Sequence, residues 1–305
     1  MRRTPRLIIS AVAVLGFLGA SCGSDDGDAA TTTTTVAVTE APATSDAVIS
    51  SQAPATAESA TTEAPSTTAA AETTEAPAPV VKGDVTVFAA ASLTSAYTEI
   101  GDAFMTEYPD AKVTFNFASS SDLVTQIKEG APADVYASAD QANMTKLTDA
   151  SGNAGEPQVF ATNSLQIIVE PGNPKGITGV ADLAKPDILY VTCAPEVPIG
   201  KYGAKVLETA GVVATPVSLE ENVKGIVTKV TLGEADAGIV YTTDVIAAGD
   251  AAEGIDIPSD INVTATYPLV VTAEAPNPTG GQAFVDFVLS EQGQKILASF
   301  GFAAP

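Results

Sequence analysis

From Asp84 onward the sequence predicts an α/β fold with mostly parallel sheets flanked by helices. Three observations predict it. Short apolar runs of strand character alternate with stretches whose apolar residues recur at helical spacing. Helix-closing glycines and a helix-opening proline punctuate those stretches. Small or hydroxylic residues stand repeatedly where a strand hands over to a helix.

The elements follow in order. "DVTVFAAAS" reads as a buried strand running into the helix "LTSAYTEIGDAFMTEYP", in which Leu93, Tyr97, Ile100, Phe104 and Tyr108 share a face. "AKVTFNFAS" alternates Val113, Phe115 and Phe117, as a half-buried strand does. "SDLVTQIKEG" is a short helix closed by Gly130. "ADVYASAD", "SLQIIVEP" and "ILYVTC" are strands. Pro198 and Ile199 open the helix "GKYGAKVLETAG", which Gly211 closes. "ENVKGIVTKVTLG" is a helix with Val223, Ile226, Val227 and Val230 on one face. "AGIVYTTDV" and "ATYPLVVTAE" return as strands, and "QAFVDFVLSEQGQKILASFGF" forms one C-terminal helix.

The first 83 residues are different. "MRRTPRLIISAVAVLGFLGASC" has three arginines, then an apolar run too short for the roughly 20 residues of a spanning helix. Residues 1–21 read as an export signal. Cys22 after "LGAS" resembles a bacterial lipoprotein cleavage site, with Leu18 one place further upstream than usual; the alternative is plain secretion with an incidental thiol. Residues 22–83 carry the lipidated Cys22 and then a Thr/Ala/Pro/Glu tether without an aromatic residue. Such a composition cannot bury enough apolar surface to offset its ordering entropy. The only other cysteine, Cys193, reads as a small buried hydrophobe, and two cysteines make no disulfide framework.

Charge excludes several functions. The chain carries 14 Lys and Arg against 37 Asp and Glu, with no histidine. Setting aside three arginines, Lys82 and the nine acids of the tether leaves 10 lysines and 28 acids from Asp84, a net of −18. A basic nucleic-acid footprint is missing. A Ser-His triad is impossible, although a Ser-Lys pair using Lys201 stays open. An anion bound here is held without a guanidinium fork.

The strand-to-helix junctions offer another way to hold one. A helix start exposes unpaired N–H groups and roughly half a positive charge, and a tetrahedral oxyanion fits there. Ser92 follows "VFAAA", and Ser119, Ser120 and Ser121 follow "TFNFA". Ile199 follows "PEVP", and Val223 follows "SLEEN". Each alone is more often a cap or a helix opening, and Tyr241 in "GIVYTTD" is more often a core aromatic.

Together the blocks "VTVFAAASLTSA", "FASSSDLVTQIKEGAPADVYASADQANM", "PEVPIGKYGAKVLE", "ENVKGIVTKV" and "GIVYTTDV" resemble the bacterial molybdate-binding ModA family, from about Asp84 to Phe302. The resemblance implies a two-lobed periplasmic binding protein of type II. Lobe 1 would take residues 84–161 and 268–305, and lobe 2 residues 162–267. It implies a non-enzymatic, extracytoplasmic receptor of an ABC importer that binds molybdate or tungstate between the lobes. The ligands carried over are Ser92, Ser120, the Ile199 and Val223 amides, and the Tyr241 hydroxyl. Ile199 stands where a smaller residue is usual. Molybdenum would be held only as its oxyanion, without direct protein–metal bonds and without a cofactor. The implied partners are an ABC permease and, through the lipid, the membrane; nucleic acid is not among them, and the receptor is expected to be a monomer. Alternatives are a receptor for sulfate, phosphate or iron, or a structural surface protein.

These readings predict that Cys22→Ala releases the protein from the membrane fraction. Deleting residues 24–82 leaves the melting temperature of the remainder unchanged. A variant that stays membrane-bound, or a shortened chain that melts several degrees lower, contradicts the respective reading.

Overall fold

The computed structural model describes residues 80–305. The signal peptide, Cys22 and the tether up to residue 79 lie outside the described residues. Among the described residues no helix is long and apolar enough to cross a membrane.

Two five-stranded sheets share one plan. The first has the order β2-β1-β3-β10-β4, built from β1 (Gly83–Ala90), β2 (Ala111–Ala118), β3 (Val135–Ala137), β4 (Gln158–Asn163) and β10 (Ala265–Val271). The second has the order β7-β6-β8-β5-β9, built from β5 (Leu165–Val169), β6 (Tyr190–Cys193), β7 (Ser218–Glu220), β8 (Ala237–Tyr241) and β9 (Glu253–Asp256). In each sheet the fourth strand, β10 or β5, runs antiparallel to both neighbours. The pairs β1–β2, β1–β3, β6–β7 and β6–β8 are parallel.

Those antiparallel strands are the ones that arrive from the other half. β4 ends at Asn163 and β5 begins at Leu165, so one residue makes the first crossing. The return crossing enters β10 at Ala265. Asn262 ties the two crossings together: its Oδ1 accepts from Leu165 N at 3.2 Å and its Nδ2 donates to Leu165 O at 3.0 Å.

Helices cover both faces. Against the first sheet lie α1 (Thr94–Glu107), α2 (Ser120–Lys128), α3 (Gln141–Thr148), α7 (Pro278–Leu289) and α8 (Glu291–Ser299). Tyr97, Phe104, Phe115 and Phe284 meet edge to face under α1 and α7, an arrangement the ring quadrupoles favour. On the opposite face Leu123, Val124, Met144 and Leu147 close over Phe88 and Tyr136. The second half carries α4 (Pro198–Thr209), α5 (Val223–Thr231) and α6 (Thr242–Ala248). Gly130 and Gly211, expected to close helices, have φ of +93° and +66°, the left-handed conformation such an ending needs. Cys193 is buried, and burial pushes its thiol up to about 12.

Two expectations are corrected. The segment after Tyr241, read as continuing strand, is the helix α6. Its Asp244 carboxylate accepts the Tyr241 N–H at 3.3 Å, and this start signal outweighs the strand preference of Thr242 and Thr243. The single C-terminal helix is two, because Ser290 takes an extended conformation and its Oγ caps Gly293 N. The reading also passed over α3, β4, β7 and β9. β7 is three residues with Leu219 exposed, which leaves little apolar alternation to detect.

Two glycines in α4 give opposite expectations. A Cβ on Gly200 would lie 2.2 Å from Ala194 O and 2.5 Å from Cys193 O, because the first turn of α4 sits directly on the end of β6. Gly200→Ala therefore destabilises the protein by about 1–3 kcal/mol. A Cβ on Gly203 would meet Ile239 at an ordinary 3.6 Å. Gly203→Ala is neutral or stabilising, by up to about 1 kcal/mol. Urea unfolding of both variants checks the pair.

Candidate functional site

The carboxyl ends of β1, β2, β6, β7 and β8 each lead into a helix, and residues at those junctions line one pocket. Ser92, Ser120, Ile199, Val223 and Tyr241 are all among its lining residues. The structure brings together all five residues that the family resemblance carried over, whereas Ser121 and Lys201 are not part of the lining.

The three adjacent serines divide their work. Ser119 caps α2: its Oγ accepts from Asp122 N at 3.2 Å and donates to Asp122 Oδ2 at 2.6 Å. Ser121 Oγ lies 3.0 Å from Ser119 Oγ and braces the cap. Ser120 is bonded differently. Its Oγ accepts the Ala139 N–H at 3.0 Å, and its carbonyl accepts the Tyr136 hydroxyl at 2.9 Å. Its own hydroxyl proton is not used in that bond. Ser92 stands in the 3-10 turn Ala91–Leu93 that opens α1, with its Oγ 3.1 Å from Tyr267 Oη.

The second half supplies amides and a phenol. Ile199 is the second residue of α4, after Pro198, and Val223 is the first of α5. First-turn amides have no intrahelical acceptor. At α5 the Asn222 side chain takes the next amide, Lys224 N, at 3.0 Å and leaves that of Val223. Ile199 is itself buried, so its bulk is accommodated in the second half's core. Tyr241, at the end of β8, is 1% exposed, and its hydroxyl has no hydrogen-bond partner. A buried hydroxyl without a partner is costly. Burial, with Tyr267 and Tyr202 adding to it, holds its ionisation well above the usual tyrosine value, so it is a neutral donor. Among the described residues Tyr97 has the other buried hydroxyl without a partner, in the aromatic cluster of the first half, enclosed by the Phe115, Phe160 and Phe284 rings.

The pocket is small, with a cavity volume of about 20 Å³, far below the roughly 300–1,000 Å³ of typical organic-ligand sites. None of its lining residues is charged. The nearby acids are engaged elsewhere. Asp140 caps α3 through Asn143 N at 2.9 Å. Buried Asp244 binds Lys224 at 2.9 Å; burial raises its carboxyl while the lysine pulls it down. Lys201 Nζ stands 4.0 Å from Asp140 Oδ2 and hydrogen-bonds neither serine, so no Ser-Lys pair is assembled. Among the described residues no three His, Cys, Asp or Glu side chains gather as a metal site. What the arrangement can do is donate hydrogen bonds to a small anion from several sides.

Contacts also cross from one half to the other. Tyr202 Oη donates to Ala139 O at 3.4 Å, and Asn163 Nδ2 donates to Thr243 Oγ1 at 2.9 Å. The sequence reading missed Asn222, Ala139 and Tyr267. Asn222 was detectable as an N-cap before an apolar run. Tyr267 was not, since it sits in an ordinary strand pattern.

Comparison with known proteins places the chain. Residues 85–303 match the family model of the bacterial extracellular solute-binding proteins. The molybdate-binding protein ModA of Mycobacterium tuberculosis is 40% identical over 221 residues, which cover 72% of this chain and 85% of that protein. The periplasmic molybdate-binding protein of Azotobacter vinelandii superposes with a TM-score of 0.60 at 21% identity, covering 72% of this chain and 99% of the other. The sulfate-binding protein SubI of Mycobacterium tuberculosis gives 0.65 at 20% identity, covering 72% and 86%. These two structures share the two-lobed type II fold and by themselves say nothing of the ligand. The family model and the 40% identity together make the chain a bacterial extracellular solute-binding protein of the ModA family.

Proposed function

We propose that the chain is the extracytoplasmic receptor of a molybdate ABC importer. Ser92, Ser120, the amides of Ile199 and Val223, and Tyr241 hold molybdate or tungstate between the lobes. The observation that carries the reading is the unpartnered Tyr241 hydroxyl, buried against an uncharged pocket at five helix starts. An oxyanion supplies the missing acceptor. The helix starts oppose its charge with oriented dipoles. No covalent step is called for, and the role is binding alone. The metal enters only inside its oxyanion.

The same donors discriminate among anions. Phosphate near neutral pH carries a proton and needs an acceptor, and no carboxylate lines the pocket. Sulfate carries no proton but is smaller, and donors fixed at strand ends and helix starts cannot all follow it inward. An iron receptor would use anionic oxygen ligands, whereas Tyr241 is held protonated by burial.

The receptor acts as a monomer that closes on its ligand and delivers it to a permease. Lipidation at Cys22 would hold it outside the cytoplasmic membrane, with the tether giving it reach.

Calorimetric titration with molybdate, tungstate, sulfate and phosphate tests the ligand class. Molybdate and tungstate bind, and sulfate and phosphate bind far more weakly or not at all. Sulfate binding as tight as molybdate rejects the proposal. Three alanine variants test the serines. Ser120→Ala loses about ten- to a hundredfold in molybdate affinity, the worth of a hydrogen bond to a charged group. Ser119→Ala instead loses about 0.5–2 kcal/mol of ligand-free stability through the cap. Ser121→Ala costs less affinity than Ser120→Ala. If all three lose stability and keep affinity, the anion lies elsewhere.

A further inference from the structure

Ser92 and Ser120 present the same group to the pocket, yet their protons are set in different ways. The partner of Ser120 Oγ is an amide, Ala139 N at 3.0 Å. An amide N–H only donates, so Ser120 Oγ must accept there and its proton points elsewhere. The partner of Ser92 Oγ is a hydroxyl, Tyr267 Oη at 3.1 Å, and either atom can be the donor. If Ser92 donated to Tyr267, its oxygen lone pairs would face the pocket and repel an anion. Only the reverse polarity leaves Ser92 able to bind one.

We propose that Tyr267 is a positioning residue for the anion: its hydroxyl donates to Ser92 Oγ and so directs the Ser92 proton into the pocket. The proposal rests on the contact between Ser92 and the anion proposed above.

The surroundings of Tyr267 suit that task. It lies on β10 and is 0% exposed. Its ring is held edge-on by Phe160 at 6.1 Å, Phe302 at 5.4 Å and Tyr241 at 5.7 Å, which fixes where its oxygen sits. Burial keeps its ionisation well above the usual tyrosine value, so the proton is there to give. The donor chain then runs from Tyr267 through Ser92 to the anion, and each bond polarises the next. Tyr267 touches the ring of Tyr241 as well, so one residue of the first half contacts a proposed ligand group from each half.

A double-mutant cycle on the full-length protein separates this role from packing. Molybdate affinity is measured by calorimetry for the parent, Ser92→Ala, Tyr267→Phe and the double variant, and unfolding free energy without molybdate is measured for all four. Tyr267→Phe keeps the ring and removes only the oxygen. The expected result is that Tyr267→Phe alone weakens molybdate binding about three- to thirtyfold, as loss of a hydrogen bond in a charged network does. In the Ser92→Ala background the same change alters affinity less than about twofold, because its route to the anion is gone. Equal losses in both backgrounds would show that Tyr267 acts through packing and would overturn the proposal. So would unchanged affinity in Tyr267→Phe. If instead Ser92→Ala itself leaves affinity intact, the fault lies in the assignment of Ser92 as a ligand, and the role of Tyr267 falls with it.

Discussion

Holding an oxyanion without a cation requires several neutral dipoles to point at one place. The fold of this chain answers that requirement. In a parallel strand–helix unit every helix begins at the same edge of the sheet, so a parallel sheet collects helix starts where an antiparallel one would scatter them. Each half does this once, and the pocket lies where the two collections meet. The lone antiparallel strand of each sheet has its own use. β4 ends at the pocket edge, and β5, being antiparallel, begins at that edge, so the chain passes between halves through the single residue Ser164. β10 begins at the same edge on the way back. Both crossings therefore lie beside the site, where Asn262 joins them.

The electrostatics follow from the same requirement. The folded part has a net charge of −18, and its long-range field opposes an anion. Exposed charges are screened over about 8 Å at physiological ionic strength, whereas donors at hydrogen-bond distance are not. A buried lysine or arginine in the pocket would be uncompensated whenever the site was empty. Hydroxyls and amides carry no such penalty. Of the two buried carboxylates nearby, Asp140 caps α3, and Asp244 is matched by Lys224 and spends its other oxygen on Tyr241 N. Asp244 thereby ties the start of α6 to the start of α5, the two helices that bring Tyr241 and Val223 to the pocket.

How much of this was legible in the sequence depended on whether the signal was local. Strands such as Gly83–Ala90 and helices such as Thr94–Glu107 announce themselves by periodicity and by what ends them. Ser119 and Asp122 mark a helix start within four residues. The break at Ser290 was missed because apolar residues continue on both sides of it and the capping serine is a single residue. α6 was missed because its start depends on a carboxylate three residues along. The pocket residues come from segments far apart in the chain, and their convergence was expected from the family resemblance, with no single segment indicating it. Tyr267 lay beyond reach for a plainer reason: its partner Ser92 is 175 residues away, and no local pattern encodes that contact.

The chain contains seven tyrosines and no tryptophan. Two of the seven, Tyr241 and Tyr267, stack edge to face at the pocket, and Tyr202 stands 6.5 Å from Tyr241. Near-ultraviolet absorption and emission of this protein therefore come from tyrosine alone among the larger chromophores, and a cluster at the site contributes a large share. Phenol emission is sensitive to what the hydroxyl is bonded to. Occupancy of the pocket is thus written into the intrinsic optical spectrum of the molecule, with no indole signal to mask it and no dye needed to read it.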